Sequence, residues 1–346
     1  MQTSTGDEGK ERTPLYLSVL DQAPVPEGST GSQALRNSVD LARLVEKLGF
    51  HRYWVAEHHG TTSLACASPE VLISAIASAT SRIRVGSGGV MLPHYSPLKV
   101  AETFSMLSGL FPARIDLGIG RAAGTDSITS SALQRDRQHR LPDDFPEQLS
   151  ELLAYIWNRM PEGHPFARLA ALPGLPERPE PWLLGSSPQS GSWAAELGLP
   201  YMFADFINAH GAGISRLYRE RFEPSATLLA PRVGFASQVI CADTDEEALR
   251  LSASYRMNVT LLHSGRRLSH VPTVETAQEF FRENRLAPDV LPYGRRVIVG
   301  SPETVRAGIE AVAQEYQAEE VMIISSIHDH AARRRSYELV ADIFRN

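Results

Sequence analysis

Cysteine is almost missing from this chain. Cys66 and Cys241 are the only two in 346 residues, far apart and without a C-x-x-C spacing. Neither a disulfide framework nor a zinc ribbon is expected, and a reducing cytoplasm is the expected setting. Long apolar runs are missing too. No stretch reaches the roughly 18 apolar residues that cross a bilayer, so no membrane span is expected. An excess of positive charge is absent as well: the formal net charge is -6, and Arg333-Arg334-Arg335 is too short a cluster to offset it, which argues against a nucleic-acid partner. The opening "MQTSTGDEGKERTP" lacks the apolar stretch of a signal peptide, and residues 1–14 read as a disordered, solvated tail.

What is present is an alternation. From Leu15 onward short apolar runs alternate with amphipathic segments, the signature of repeated βα units around a mostly parallel sheet. "LYLSVLDQAP" reads as a strand, after which Leu35, Val39, Ala42, Val45 and Leu48 recur at helical spacing and Gly49 supplies the stop. Serine followed by proline marks helix starts at Ser68-Pro69, Ser96-Pro97 and Ser301-Pro302, with serine expected to cap and proline to take the first helical position. Further strands are expected in "HRYWVAEHH", "IRVGSGGVML", "ARIDLGIG", "PWLLGS", "PYMFADF", "PRVGFASQVICA" and "AEEVMIISS", with a shorter one in "RRVIVG". A count of about eight predicts an α/β chain closed into a (β/α)8 TIM barrel, one domain over residues 15–346 with insertions at its C-terminal mouth. Two stretches, 125–181 and 257–293, break the rhythm and are expected to be lids or mobile segments.

On such a barrel, polar residues at strand C-termini gather at one mouth, which predicts convergence of Asp21, Glu57-His58-His59, Arg121, Ser186-Ser187 and Asp205. In "RYWVAEHHG" three ionisable residues end a buried strand, a pattern that favours an acid/base site over a locally paired strand end. Alternation along the strand sends one imidazole to the pocket and leaves the other to pack or cap. "VGSGGVMLPHYSP" carries Gly88-Gly89, where the missing side chains suit a flat ring lying on the backbone, or equally a bulge. "LGIGRAAG" misses the dinucleotide fingerprint, because its glycines fall at Gly118, Gly120 and Gly124 and follow the fourth strand, yet Arg121 presents donors to an anion. "LLGSSPQSGSWAAELGLP" runs from strand to helix, and its amides with the Ser187 and Ser190 hydroxyls suit a phosphate monoester or, alternatively, plain capping. His328 and His330 have a metal-compatible spacing but follow the last strand, and no metal site is predicted.

Taken in order, "LSVLDQAPV", "LGFHRYWVAEHH", "IRVGSGGVMLPHYSPLKVAETFSML", "RIDLGIGRAAGTD" and "GSSPQSGSWAAELGLP" resemble the bacterial luciferase-like flavin monooxygenases, and "VAEHH" and "LGIGR" are similar to the subgroup that tailors polyketides and related natural products. The resemblance implies a homodimeric barrel that binds FMN at its C-terminal mouth. FMNH2 would come from a separate flavin reductase, with O2 as co-substrate and a flavin C4a-(hydro)peroxide oxygenating a small organic substrate. By the same resemblance His58 lies at the reactive edge of the flavin; an imidazole there can exchange a proton near neutral pH, and Glu57 is its expected orienting or charge partner. The family's non-prolyl cis peptide beneath the flavin ring maps onto Gly88 and Gly89. Its phosphate arginines map onto Arg121 and Arg135, with Arg137 competing for the second, and its phosphate loop onto Ser186, Ser187 and Ser190. Segment 257–293 would close over the flavin. The reactive cysteine of the luciferase catalytic subunit is Gly120 here, so light emission is not implied. The rival expectations are a coenzyme F420-dependent oxidoreductase of the same fold, a non-catalytic flavin-binding protein, and a metal hydrolase built on the histidines.

Overall fold

The computed structural model describes residues 15–121, 125–133, 143–169, 171–287 and 289–345. The expected tail over 1–14, Arg135 and Arg137 all lie outside them. The strands are β1 (Tyr16–Asp21), β2 (Arg52–Val55), β3 (Arg84–Met91), β4 (Ile115–Gly120), β5 (Glu180–Gly185), β6 (Tyr201–Ala204), β7 (Val233–Cys241), β8 (Ile298–Gly300) and β9 (Glu320–Ile324). β1 through β7 pair in sequence as parallel neighbours, β7 pairs β9, and β9 returns to β1, which closes the expected eight-stranded (β/α)8 barrel. The run "RRVIVG" gives β8, which stands outside that closure and pairs only with Val239–Cys241 at the end of β7. Strands buried on both faces read as continuous apolar runs, and β7 is buried along its whole length.

The helix Gly31–Leu48 lays Ala42 and Val45 on the barrel, as the spacing predicts, together with Ala34 and Leu41, whereas the expected Leu35 is exposed. Thr30 caps it by accepting the Gln33 N–H at 3.1 Å, and Gly49 ends it at a left-handed φ of 87°. Helices Pro69–Ala79, Pro97–Leu110 and Pro302–Tyr316 begin at the three Ser-Pro marks, but the hydroxyls of Ser68, Ser96 and Ser301 make no cap bond. The fixed φ of proline and its missing N–H account for these starts without the serine.

Segment 257–293 differs from the expected irregular insert. Part of it lies in helices Ala253–His263 and Val274–Glu283, whose Val259, Leu261, Val274, Ala277 and Phe281 form an apolar cluster with Leu251, while 264–273 is irregular as expected. The spacing of Val274, Ala277 and Phe281 is helical, and Thr273 caps the second helix through the Thr276 N–H at 3.0 Å. In the other stretch, helix Phe145–Ile156 packs on Pro97–Leu110 before a run of turns reaches β5. Among the described residues no helix is long and apolar enough to cross a membrane.

Candidate active site

The C-terminal mouth holds a cavity of about 450 Å³. Its floor is the β3 backbone at Gly88 and Gly89, joined by a cis peptide bond. A Cβ on Gly88 would stand 2.5 Å from Leu20 Cδ1, and one on Gly89 would stand 2.8 Å from the Gly118 carbonyl oxygen. Only glycine fits both positions without moving the wall behind them. Leu20, Ala56, Met202, Phe206, Ala236 and Met322 make the other walls apolar.

The same cavity also has polar lining at Arg121, Ser186, Ser187 and Ser190. Ser187 opens helix Pro188–Glu196 in a reciprocal cap with Ser190. The Ser190 hydroxyl is turned inward, donating to the Ser187 carbonyl at 2.8 Å with Tyr201 OH 2.9 Å away, so of these two serines Ser187 is the one exposed at the mouth. Arg121 donates to Gln189 Oε1 at 3.1 Å, is ion-paired with Asp143, and lies 5.5 Å over the Trp193 ring. A cation and a helix N-terminus thus face the same corner.

β2 stops at Val55, so the chain through Glu57, His58 and His59 is no longer a strand and alternation does not sort the two imidazoles. Glu57 is fully buried, and its carboxylate accepts from the Met91 N–H at 3.0 Å and from Tyr95 OH at 2.9 Å. Its third partner is His59, whose Nε2 lies 2.6 Å away. The expected pairing of Glu57 with His58 is therefore replaced by one with His59. His58 stands free at the mouth with Nδ1 buried and unpartnered. Burial, with electrostatic contributions from neighbouring His59 and Arg267 in the same direction, pushes the imidazole of His58 down to about 4. It is neutral at physiological pH, where an unperturbed histidine would be close to titrating.

Two other expected members of the mouth are committed elsewhere. Asp21 is buried, accepts from Tyr53 OH and the Ala23 N–H, and pairs with Arg333 at 2.7 Å. Burial would raise its carboxyl, but Arg333 and these donors outweigh it and hold it below the usual range. Asp205 accepts from Ser237 at 2.8 Å and from Tyr316 OH at 2.7 Å, and burial raises it. The histidines at the C-terminal end reach separate partners, His328 the Glu27 carbonyl and His330 the Asp40 carboxylate. Tyr95, a partner of Glu57, has no sequence signal of such a role, whereas Gln22 in the cavity wall is one that the strand-end rule applied to "LDQAP" points to.

The model of the luciferase-like monooxygenase family matches residues 16–319. A luciferase-like monooxygenase of Escherichia coli is 40% identical over 335 residues, 95% of this chain and 97% of its own. An N-acetyl-S-alkylcysteine monooxygenase of Bacillus subtilis is 36% identical over 333 residues, 95% of this chain and 98% of its own. Among solved structures, apo-MsnO8 shares 41% identity with a TM-score of 0.86, covering 96% of this chain and 98% of that one. The oxygenating constituent of 3,6-diketocamphane monooxygenase from Pseudomonas putida, solved with FMN, shares the fold at 23% identity and a TM-score of 0.71, over 95% and 97% of the two chains. So does an F420-dependent secondary alcohol dehydrogenase, at 14% identity and a TM-score of 0.67, over 96% and 100%. The chain belongs to the luciferase-like monooxygenases and is a flavin-dependent monooxygenase.

Proposed function

We propose that the protein is an FMNH2-dependent monooxygenase that receives its reduced flavin by diffusion from a separate reductase and oxygenates a small organic substrate. The observation that carries this reading is one cavity with a side-chain-free floor at Gly88-Gly89, apolar walls, and a cation with a helix start in its lining. A flat ring and a phosphate need surfaces of these kinds. When bound, reduced FMN supplies the electrons with which one atom of O2 enters the substrate and the other leaves as water.

The protein's own part is placement, exclusion of water and proton control. Gly88 and Gly89 offer backbone to the ring, while Leu20, Met202 and Met322 keep its surroundings dry. Ser187, the first amides of helix Pro188–Glu196 and Arg121 hold the phosphate, and Arg121 exchanges Asp143 for it. His58, neutral and unpartnered, accepts a proton at Nδ1 from the reacting groups. Glu57 acts one step back, fixing His59 and the Met91 end of β3. The relative named for an N-acetyl-S-alkylcysteine supports a small substrate, and the sequence resemblance supports one from natural-product tailoring. A cytoplasmic setting suits buried, unpaired Cys66 and Cys241.

Equilibrium titration with FMN and with coenzyme F420, followed by oxygen uptake with FMNH2 regenerated by a flavin reductase, tests the cofactor. FMN is expected to bind more tightly and protein-dependent oxygen uptake to follow. Tighter binding of F420 would overturn the reading. The protein is also proposed to be a homodimer, because Val71, Met106 and Leu110 on adjoining helices are 68%, 54% and 66% exposed and a groove of about 690 Å³ runs between helices Gly31–Leu48 and Pro69–Ala79. Light scattering at micromolar concentration is expected to give the dimer mass, and a monomer mass throughout would remove the claim.

A further inference from the structure

Beside the cavity described above lies a second one of about 350 Å³, and the two share Gln22, His58, Phe206 and Ile207. Part of its wall is helix Ala253–His263. Tyr255, Ser254 and Gln238 line it, only 6%, 0% and 1% exposed. Tyr255 OH, Ser254 Oγ and Gln238 Nε2 are buried atoms without a partner, as is His58 Nδ1 on the shared wall. Leaving such a group unsatisfied is unfavourable, so a cluster of them around one void points to a ligand that meets them.

Charge narrows the ligand. In a chain of net charge -6, this cavity is lined by Arg267, Arg295 and three histidines and by no aspartate or glutamate. Arg295 donates to the Phe206 carbonyl at 2.7 Å, and among the described residues no carboxylate pairs with it. Arg267 is at the rim, 49% exposed and 3.9 Å from Asp126. Burial pushes the Tyr255 hydroxyl up to about 12, against the pull of Arg295, so it stays a neutral donor. Leu64, Val259, Leu262 and Leu268 make the rest apolar.

We infer that this second cavity is the substrate chamber and that it selects small amphipathic carboxylic acids, the carboxylate held by Arg295 and the Tyr255 hydroxyl and the apolar body lying against Val259, Leu262 and Leu268. Gln238 and Ser254 serve further polar atoms of the substrate, and the shared wall at His58 gives its reacting part access to the flavin. The inference rests on the flavin reading only for which cavity takes the cofactor.

Calorimetric titration of the full-length protein, with and without FMN, using octanoate, methyl octanoate and octylamine, tests it. Octanoate is expected to bind at least about tenfold more tightly than its ester, the scale of a charge-assisted hydrogen bond. Arg295→Gln is expected to erase that preference with FMN affinity unchanged, and Arg295→Lys, which keeps the charge, to retain part of it. Tyr255→Phe is expected to weaken octanoate about threefold to tenfold, the scale of a neutral hydrogen bond. Equal affinity for acid and ester, a preference for octylamine, or no octanoate binding at millimolar concentration would overturn the inference. Failure of FMN to bind the wild-type protein would instead defeat the flavin reading, while octanoate selectivity in the FMN-free protein still decides the chamber.

Discussion

The two ends of the barrel differ in how completely their buried polar groups are satisfied. At the N-terminal end, Arg52 is 1% exposed and is met by Asp116 at 2.8 Å, Glu320 at 3.1 Å and Glu180 at 3.6 Å. Arg84 shares Asp116 and Glu180, Arg232 takes Glu180 at 2.9 Å, and Trp54 Nε1 donates to Asp116 at 2.8 Å. The guanidinium groups of Arg52 and Arg232 also lie 4.7 and 4.6 Å from the Trp182 ring. At the C-terminal mouth, by contrast, His58, Gln238, Ser254 and Tyr255 keep buried polar atoms with no partner. Ionisable residues are dense at both ends, so their number does not separate scaffold from site. Satisfaction does, group by group: at the mouth Asp21, Glu57 and Asp205 are closed by partners as the base is, whereas His58, Gln238, Ser254 and Tyr255 stay open to a ligand.

Breaking the closed end is expected to have the largest effect. Burial raises the Asp116 carboxyl, but Arg52 and Arg84 outweigh it and hold it below the usual range. Asp116→Asn leaves those cations short of a charge and is expected to cost about 3–5 kcal/mol in urea denaturation. A loss below about 1 kcal/mol, the scale of an exposed pair, would show that the base is not the scaffold.

The mouth behaves differently under acid. His58 titrates near 4 in the folded protein against 6.5 for the free side chain, so the unfolded chain takes up the proton first as pH falls. Its contribution to stability is whole above pH 6.5 and is lost as pH falls toward 4. The loss is on the order of 3 kcal/mol, and His58→Gln is expected to flatten that part of the acid limb. An acid limb unchanged in His58→Gln would place the titration elsewhere.

Chemistry and binding separate the two polar corners of the mouth. His58→Ala is expected to leave FMN affinity nearly intact while lowering single-turnover product formation by about 10²-fold. His59→Ala, which strips one partner from buried Glu57, is expected to act mainly on stability. A large catalytic loss confined to well-folded His59→Ala would reverse the two roles. Arg121→Ala is expected to weaken FMN by about 1.5–3 kcal/mol and riboflavin hardly at all; equal losses would remove the phosphate from that corner.

The barrel was legible because period and punctuation repeat along the chain: apolar runs, Ser-Pro helix starts and glycine stops. The place of Gly88-Gly89, Arg121 and the Ser187 helix start at one mouth follows from strand order alone. What could not be read is which charge meets which. Asp21 and Asp205 sit at strand ends like the mouth residues, but Arg333 and Tyr316, over 100 positions away in sequence, claim them. The Glu57–His59 pair needs the chain to leave β2 at Val55, and the second cavity is formed in part by a helix at the start of a segment that reads as loop.

Hydrogen–deuterium exchange with and without FMN tests the division between the two ends most directly. The account predicts slowed exchange at the mouth, in segments 88–95, 118–121 and 184–193, and no change around Arg52, Asp116 and Glu320. Protection centred on the groove lined by residues 35–43 and 65–75, or no protection at saturating FMN, would contradict it.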